Sequence, residues 1–426
     1  MKYTPIDKSV FITNRRKLSG KLLPASIAVF QSNDIYPTNA DGTMPFRQNN
    51  DLFYCSGIDQ EDTILLLFPD AADPKYKEVL FILETNEHLA VWEGHKLSKE
   101  EARDLSGIQT IFWAHEFEKV FKSLVYDAHN MYCNQNEHGR AEKLIETRSD
   151  RFITWCRQHY PLHAYNRLAP VLNELRSVKY KGEIEQISHA CDITTSAFKR
   201  ILKTIKPGIK EYEIEADITH EFIRSGSRGH AYQPIIASGA SACILHYVQN
   251  DKVCKSGELI LMDFGAEYGN YASDLTRVVP VNGKFSKRQK EIYTSVLSIF
   301  KQVKKAIKPG ATLADLNKIT AELVGEEIVR LKLISLKDLK KDPSASRRYF
   351  MHGIGHHLGL DVHDVHVKDV PLKAGMIITL EPGLYIKEEG IGIRLENDML
   401  ISAKGNVDLM EKTPIEAEEI ELLMRN

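Results

Sequence analysis

Four carboxylates and one imidazole in the C-terminal half, Asp263, Asp274, Glu381, Glu396 and His356, have the types and spacing of a site for a pair of divalent cations. Asp263 closes the run Glu-Leu-Ile-Leu-Met-Asp and Asp274 opens Asp-Leu-Thr-Arg-Val-Val, two strand-like segments joined by Tyr268-Gly269-Asn270. A hairpin turning between Tyr268 and Gly269 sets residues 263 and 274 directly opposite each other on one face. Further on, a turn between Glu388 and Glu389 sets Glu381 opposite Glu396 in the same way. Each hairpin then presents a carboxylate pair whose Cβ atoms lie about 5 Å apart. Four buried acids cannot share a site without compensating charge, since repulsion and desolvation would protonate them or open the site. Divalent cations supply that charge, and oxygen ligands with one imidazole suit Mn, Co, Fe or Zn.

A strand-borne Asp or Glu is most often a solvated residue on an open face. Asp263 and Glu381 resist that reading, because each follows an apolar run, Leu-Ile-Leu-Met and Met-Ile-Ile-Thr-Leu. An acid in such a setting is expected to be paired or metal-bound.

The elements that must position these groups come from a chain long enough for two or three domains, at 426 residues. With 43% hydrophobic and 27% charged residues it has an ordinary globular composition. A net charge of −2 argues against general electrostatic binding to nucleic acid or acidic membranes. No apolar stretch approaches the roughly 20 residues of a membrane helix. The opening Met-Lys-Tyr-Thr-Pro has no hydrophobic core of a secretory signal, and the cysteines at 55, 133, 156, 191, 243 and 254 form no Cys-x-x-Cys pair. A cytoplasmic protein with reduced thiols is the expectation.

Residues 26–125 alternate strand candidates (27–30, 63–68, 79–83) with helical segments, one opening at Ser98 with Glu101 at the capping-box position. This predicts an α/β N-terminal domain over 1–170. The remainder, 171–426, reads as a second domain, beginning with one long helix from Glu174 to Ile205 that Lys206-Pro207-Gly208 stops. An internal echo follows. Lys-Thr-Ile-Lys-Pro-Gly ends at 208 and precedes a helix over 211–223, while Lys-Ala-Ile-Lys-Pro-Gly ends at 310 and precedes one over 313–329. Each copy comes before one acid-bearing hairpin, which fits an α+β domain of two related halves with the cations between them.

The segment His352-Gly-Ile-Gly-His356-His357-Leu-Gly-Leu-Asp-Val-His363 is the densest chemistry in the chain, and its glycines suit a loop or strand lining a cleft. For His357 and His366 a hydrogen-bonded structural role is the default. Together with His246 in Ile-Leu-His-Tyr, Met-Asp-Phe-Gly, Ser-Asp-Leu-Thr-Arg, Leu-Glu-Pro-Gly and Gly-Ile-Arg-Leu-Glu, this segment resembles the pita-bread metallopeptidases. The whole chain is most similar to the Xaa-Pro aminopeptidases, or aminopeptidase P. Phe46-Arg-Gln-Asn-Asn-Asp-Leu-Phe-Tyr54 and Trp92-Glu-Gly-His-Lys-Leu97 look like parts of that family's N-terminal domain. One departure is Gly355, where bacterial members often carry Ser or Thr and prolidases carry glycine.

The resemblance implies an α/β N-terminal domain followed by a pita-bread catalytic domain with a pseudo-twofold internal repeat. It implies that Asp274 and Glu396 bridge two metal ions, most often Mn(II) with Co, Fe or Zn as alternatives, while Asp263 binds one ion and His356 with Glu381 the other. Glu381 would also serve as general base, and a hydroxide bridging the ions would attack the peptide bond. His246, His352 and His363 match the substrate-binding and proton-handling histidines, and Arg394 an arginine that holds an acidic ligand in place. The implied substrates are peptides with proline second, cut after the first residue. A homo-oligomer, dimer or tetramer, is implied as well, with Trp92 either at a subunit contact or buried in its own domain. The rivals are a prolidase, confined to Xaa-Pro dipeptides, and a non-catalytic peptide-binding relative, which would usually have lost metal ligands.

Overall fold

The computed structural model describes residues 3–142 and 144–425. They divide into two compact units, residues 5–176 and residues 177–425 with 3 and 4.

In the first unit the strands β1 (Ser26–Gln31), β2 (Ile64–Leu67), β3 (Glu78–Ile82), β4 (Thr110–Trp113), β5 (Asn130–Cys133) and β6 (Ala164–Arg167) form one sheet in the order β4-β3-β2-β1-β5-β6. The pairs β3/β4, β1/β5 and β5/β6 are parallel, and β1/β2 and β2/β3 antiparallel. Continuous apolar runs put buried residues on both faces of β1 and β2, the reading expected of a sheet covered on both sides. Helix Lys99–Ser106 opens with the expected reciprocal bonds between Ser98 and Glu101. Trp92 is 79% exposed, so it is not the buried aromatic of its own unit. The unit ends with helix Ala169–Ser177, which runs through the boundary expected at 170 and is tied back by the ion pair Arg176–Asp51 at 2.7 Å.

The second unit corrects the helix expected over 174–205. The chain breaks at 178–180 and restarts as Lys181–Ile201, ending ahead of Lys206-Pro207-Gly208. The interruption has a cause. Lys179 is buried, its ammonium meets the Asp364 carboxylate at 2.9 Å, and its N–H donates to Gly375 O at 2.9 Å in place of the carbonyl four residues back that a continuous helix requires.

The internal echo is visible as repeated order. Helices Lys181–Ile201 and Glu211–Arg224 flank one Pro-Gly turn, and Lys287–Ala306 and Leu313–Arg330 flank the other. Gly208 and Gly310 both take left-handed torsions, φ +96° and +91°. Each donates its N–H to the segment just before a hairpin, to Cys254 O and Leu372 O respectively, both at 2.9 Å. The first half supplies β7 (Ile235–Ser238), β8 (Leu259–Phe264), β9 (Glu267–Tyr268), β10 (Tyr271–Ala272) and β11 (Leu275–Pro280), with the antiparallel order β11-β8-β7. The second supplies β12 (Ile377–Leu380), β13 (Gly383–Ile386), β14 (Ile391–Arg394), β15 (Asn397–Ile401) and β16 (Asn406–Asp408), paired as β12-β15-β16 and β13-β14. An isolated bridge between Thr276 and Glu396 stitches the two halves together. Among the described residues no helix is long and apolar enough to cross a membrane.

Candidate metal centre

The first acid-bearing hairpin turns one residue later than the sequence predicts. Tyr268 pairs with Tyr271, and Gly269 and Asn270 form the turn with φ +58° and +70°. A two-residue turn of this hand needs positive φ at both central positions, which Gly-Asn tolerates and Tyr-Gly does not. Asp263 therefore faces Thr276 rather than Asp274. The shift is two positions along the partner strand, so the acids keep a common face and lie diagonally. Tyr232 closes the gap, its hydroxyl 2.6 Å from Asp263 Oδ1 and 2.6 Å from Asp274 Oδ1.

The second hairpin has the expected register. Gly383 pairs with Arg394 and Leu380 with Asn397, which sets Glu381 opposite Glu396. Its connection is a 3₁₀ turn, Lys387–Glu389, closed by left-handed Gly390. At the bridge between the hairpins, Glu396 N–H donates to Thr276 O (3.1 Å) and the Thr276 hydroxyl to Glu396 Oε2 (2.6 Å).

His356 enters beside β12. Its N–H donates to Thr379 Oγ1 (3.0 Å), and Nδ1 lies 3.0 Å from His357 O, which assigns the proton to Nδ1 and leaves Nε2 as a lone-pair donor. Nε2 lies 3.4 Å from Asp274 Oδ2 and 3.8 Å from Glu381 Oε1. Gly355 is dictated by packing: a Cβ there would sit 2.1 Å from Thr379 O. Asp274, His356 and Glu396 each offer one ligand atom, all within 4.8 Å of one another. Asp263 and Glu381 flank this trio, Asp263 paired with Arg394 Nη2 and Glu381 beside His356.

The electrostatics of these groups call for more positive charge. Burial, then the neighbouring acids Asp274, Glu381 and Asp263, pushes the Glu396 carboxyl well above the ordinary range. Burial also raises Asp263, against the pull of Arg394, and lifts Glu381 to about 7. At His356 burial alone would depress the imidazole, but the bond to Asp274 and the charges of Glu381 and Asp274 win and hold it up to about 9. One guanidinium and the His356 imidazolium stand against four carboxylates, and the single Tyr232 proton reaches two of them. The residues present fit divalent cations.

The remaining histidines are placed as follows. His352 Nε2 meets the Tyr385 hydroxyl at 2.7 Å and Nδ1 lies 3.6 Å from Glu381 Oε2, with burial lowering its pKa to about 4. The His363 ring packs at 4.2 Å from the His356 ring. His246 is exposed, in a turn, close enough for its charge to act on His352. Arg394 is buried and donates to Thr276 Oγ1 (3.0 Å), the Tyr385 hydroxyl (2.8 Å) and Asp263. His357 and His366 stack at 4.4 Å, and burial depresses His357 to about 3, as suits structural residues.

Sequence reasoning missed Tyr232, Tyr385, Thr276 and Asp398. Strand alternation carried a signal for the last, since Asp398 follows Glu396 by two. It is buried and its Oδ2 accepts the Asp274 N–H at 3.0 Å. Nothing local marks Tyr232, which arrives from a loop.

Comparison with known proteins decides the family. Residues 185–403 match the family model for metallopeptidase family M24, and residues 11–132 that for the aminopeptidase P N-terminal domain. This chain belongs to metallopeptidase family M24. It is 34% identical to the Xaa-Pro aminopeptidase of Escherichia coli K12, with 98% of each chain covered. Among solved structures, Pseudomonas aeruginosa aminopeptidase PepP superposes with a TM-score of 0.90 at 30% identity, covering 100% of this chain and 99% of that one. Zn-substituted E. coli aminopeptidase P in complex with product gives a TM-score of 0.88 at 32% identity, covering 99% of both. This M24 chain thus has the aminopeptidase P architecture, an N-terminal domain of that type preceding a pita-bread metallopeptidase domain.

Proposed function

We propose that this M24 chain is a metal-dependent Xaa-Pro aminopeptidase, releasing the first residue of peptides whose second residue is proline. The observation that carries this reading is the convergence of Asp274, Glu396 and His356 within 4.8 Å, flanked by Asp263 and Glu381. Asp274 and Glu396 would be shared by two ions, Asp263 would complete one side, and His356 with Glu381 the other, with Mn(II) expected. When bound, the ions neutralise the acids, polarise the scissile carbonyl and bring a coordinated water's pKa from about 15.7 towards ~7.

The chain's own residues supply the rest. A bond to proline has no N–H and a tertiary amide nitrogen, so cleavage must deliver a proton to the ring nitrogen as it leaves. Glu381, whose carboxylate takes only a long bond of 3.5 Å from Thr379 Oγ1 among the described residues, would accept the proton and return it. His352, His363 and His246 would border the substrate. His352 is kept neutral by burial, and its ring is fixed at both nitrogens, Nδ1 by Gly353 O at 2.8 Å and Nε2 by the Tyr385 hydroxyl at 2.7 Å. His246 and His363 would bear on the carbonyl oxygen, where charge grows in the transition state. Arg394 holds Asp263 in orientation through Nη2, its other nitrogens being fixed on Thr276 Oγ1 and the Tyr385 hydroxyl. The same reading expects a dimer or tetramer and a reducing cytoplasmic setting, in keeping with six free cysteines.

The deciding experiment is a peptide panel run with and without manganese, varying the second residue and total length. Cleavage of Xaa-Pro-Xaa, dependent on metal and on proline, is the expected result. Turnover of Xaa-Pro dipeptides alone would replace this reading with that of a prolidase.

A further inference from the structure

His246 is the site histidine with least support of its own. It is exposed and sits in a turn, within the loop 239–251 that leaves β7 at Ser238 and rejoins the fold at Lys252. One buried carboxylate outside the metal centre binds both ends of that loop. Glu211 is the first residue of helix Glu211–Arg224 and is fully buried. Its Oε1 accepts the Ser238 N–H at 2.8 Å and the Ser238 hydroxyl at 2.7 Å. Its Oε2 accepts the Tyr247 hydroxyl at 2.7 Å and the Lys252 N–H at 3.0 Å. Ser238 and Lys252 are the two ends of the loop, and Tyr247 is the neighbour of His246.

Other contacts restrict the same segment. Glu211 N–H donates to Lys252 O at 2.9 Å. Asn250, left-handed at φ +49°, accepts the Ile236 N–H (2.9 Å) and donates to Pro234 O (3.0 Å) and Glu215 (2.8 Å). On its far side the loop presses on β14, where a Cβ at Gly392 would lie 2.2 Å from Ala242 O. The Glu211 charge is compensated by four donors and by its place at a helix N-terminus, with no cation needed.

We propose that Glu211 is a positioning residue for the reaction, fixing His246 against the metal centre by clamping both ends of its loop and the adjacent Tyr247. This rests on the reading of His246 as a substrate-facing residue. Glu211→Gln keeps the shape but turns one of the two acceptor oxygens into a donor, so either the Ser238 or the Lys252 backbone N–H loses its acceptor while the hydroxyl beside it must reverse.

A double-mutant cycle tests it, with kcat/KM on an Xaa-Pro-Xaa peptide and manganese content measured for each variant. Glu211→Gln is expected to lower kcat/KM by about tenfold or more with two metals retained, since small misplacements of a reacting group cost about that much. In a His246→Ala background the same change should cost less than about twofold, because the group it positions is gone. An equal loss in both backgrounds, or no loss in either, overturns the clamp. A His246→Ala enzyme as active as the parent overturns the reading of His246 and the clamp with it, so the two failures are told apart. If Glu211→Gln does not fold, Tyr247→Phe, which removes one donor beside His246, replaces it in the cycle, and the same outcomes support or overturn the clamp.

Discussion

The two acid-bearing hairpins reach one centre by different means. In the first, both acids are tied by the protein: Asp263 by Tyr232 and Arg394, Asp274 by Tyr232. In the second, Glu396 takes a short bond from Thr276, whereas among the described residues the hydrogen bond to the Glu381 carboxylate is the one from Thr379 Oγ1 at 3.5 Å, with His352 and His356 nitrogens at 3.6 and 3.8 Å. On the proposed reading this asymmetry is functional. Acids that set metal geometry are held in one orientation by short hydrogen bonds, and the acid that exchanges a proton is left without one.

The largest expected effect tests that loose acid. Glu381→Gln should lower kcat by about a thousandfold or more, in the upper range for loss of a general base and with a metal ligand weakened as well. Circular dichroism and thermal unfolding should show a folded protein. Near-normal kcat in a folded Gln variant would remove the contrast between the hairpins.

The tied side is sharpened by Arg394→Met. The guanidinium is buried against Asp263, and removing one partner of a buried pair leaves an uncompensated charge, a loss of about 3–5 kcal/mol. Denaturant unfolding of the metal-free protein reads it. Added manganese should recover part of the loss, because a cation supplies the charge that the arginine gave up. A variant as stable as the parent would mean that Asp263 is not held by Arg394.

Much of this centre was legible in the sequence because strands have a period of two. That parity put Asp263 with Asp274 and Glu381 with Glu396 on common faces even where the turn was misplaced by one residue. The misplacement itself came from overlooking Asn270, which tolerates left-handed torsion as glycine does. The long helix expected over 174–205 failed for a different reason. Its apolar pattern continues across the break, and the contacts that draw Lys179 out of the helix, to Gly375 O and Asp364, come from far along the chain, with Glu183 capping the restart at Tyr180. Tyr232, Tyr385 and Glu211 were invisible on the same ground, since each acts on residues brought near by the fold.

Metal removal separates the hairpins from their cations. In the metal-free protein Glu381 is raised from 4.5 to about 7 and His356 from 6.5 to about 9. A raised folded pKa means that the folded state binds its proton more tightly than the unfolded chain. For Glu381 that stabilisation is complete below about pH 4.5 and lost as pH rises through about 7; for His356 it is complete below about 6.5 and lost through about 9. These two contributions weaken as pH rises, whereas His352 and His357, depressed to about 4 and about 3, add stability up to about pH 6.5, so the chelated protein should weaken above about pH 6.5. Metal competes with these protons, so its stabilisation, about 2.7 kcal/mol at a hundredfold excess over Kd, should grow over the same interval. Melting temperatures with and without manganese between pH 5 and about 9 check the sign. A gap that narrows as pH rises would place the ions elsewhere.

The smallest effect distinguishes the two turns. Gly269 and Gly390 both take left-handed torsions, φ +58° and +63°, so an Ala side chain costs about 1–2 kcal/mol at either from backbone strain alone. Their surroundings differ. A Cβ at Gly269 would lie 2.8 Å from Gln186 Oε1, whereas at Gly390 the nearest atom is the Ala240 Cβ at 3.6 Å. Gly269→Ala should thus destabilise more than Gly390→Ala, by a few tenths to about 1 kcal/mol, since the mostly buried Gln186 must shift. It should also lower manganese affinity, because its turn sets the register that brings Asp274 onto the face of Asp263, while the Gly390 turn lies further along its strands from Glu381 and Glu396. Unfolding curves and metal titrations of the two variants, run side by side, give both comparisons. Equal losses in stability and affinity would show that the first hairpin is held in register by its ladder and by Tyr232, with the turn following rather than setting the pairing.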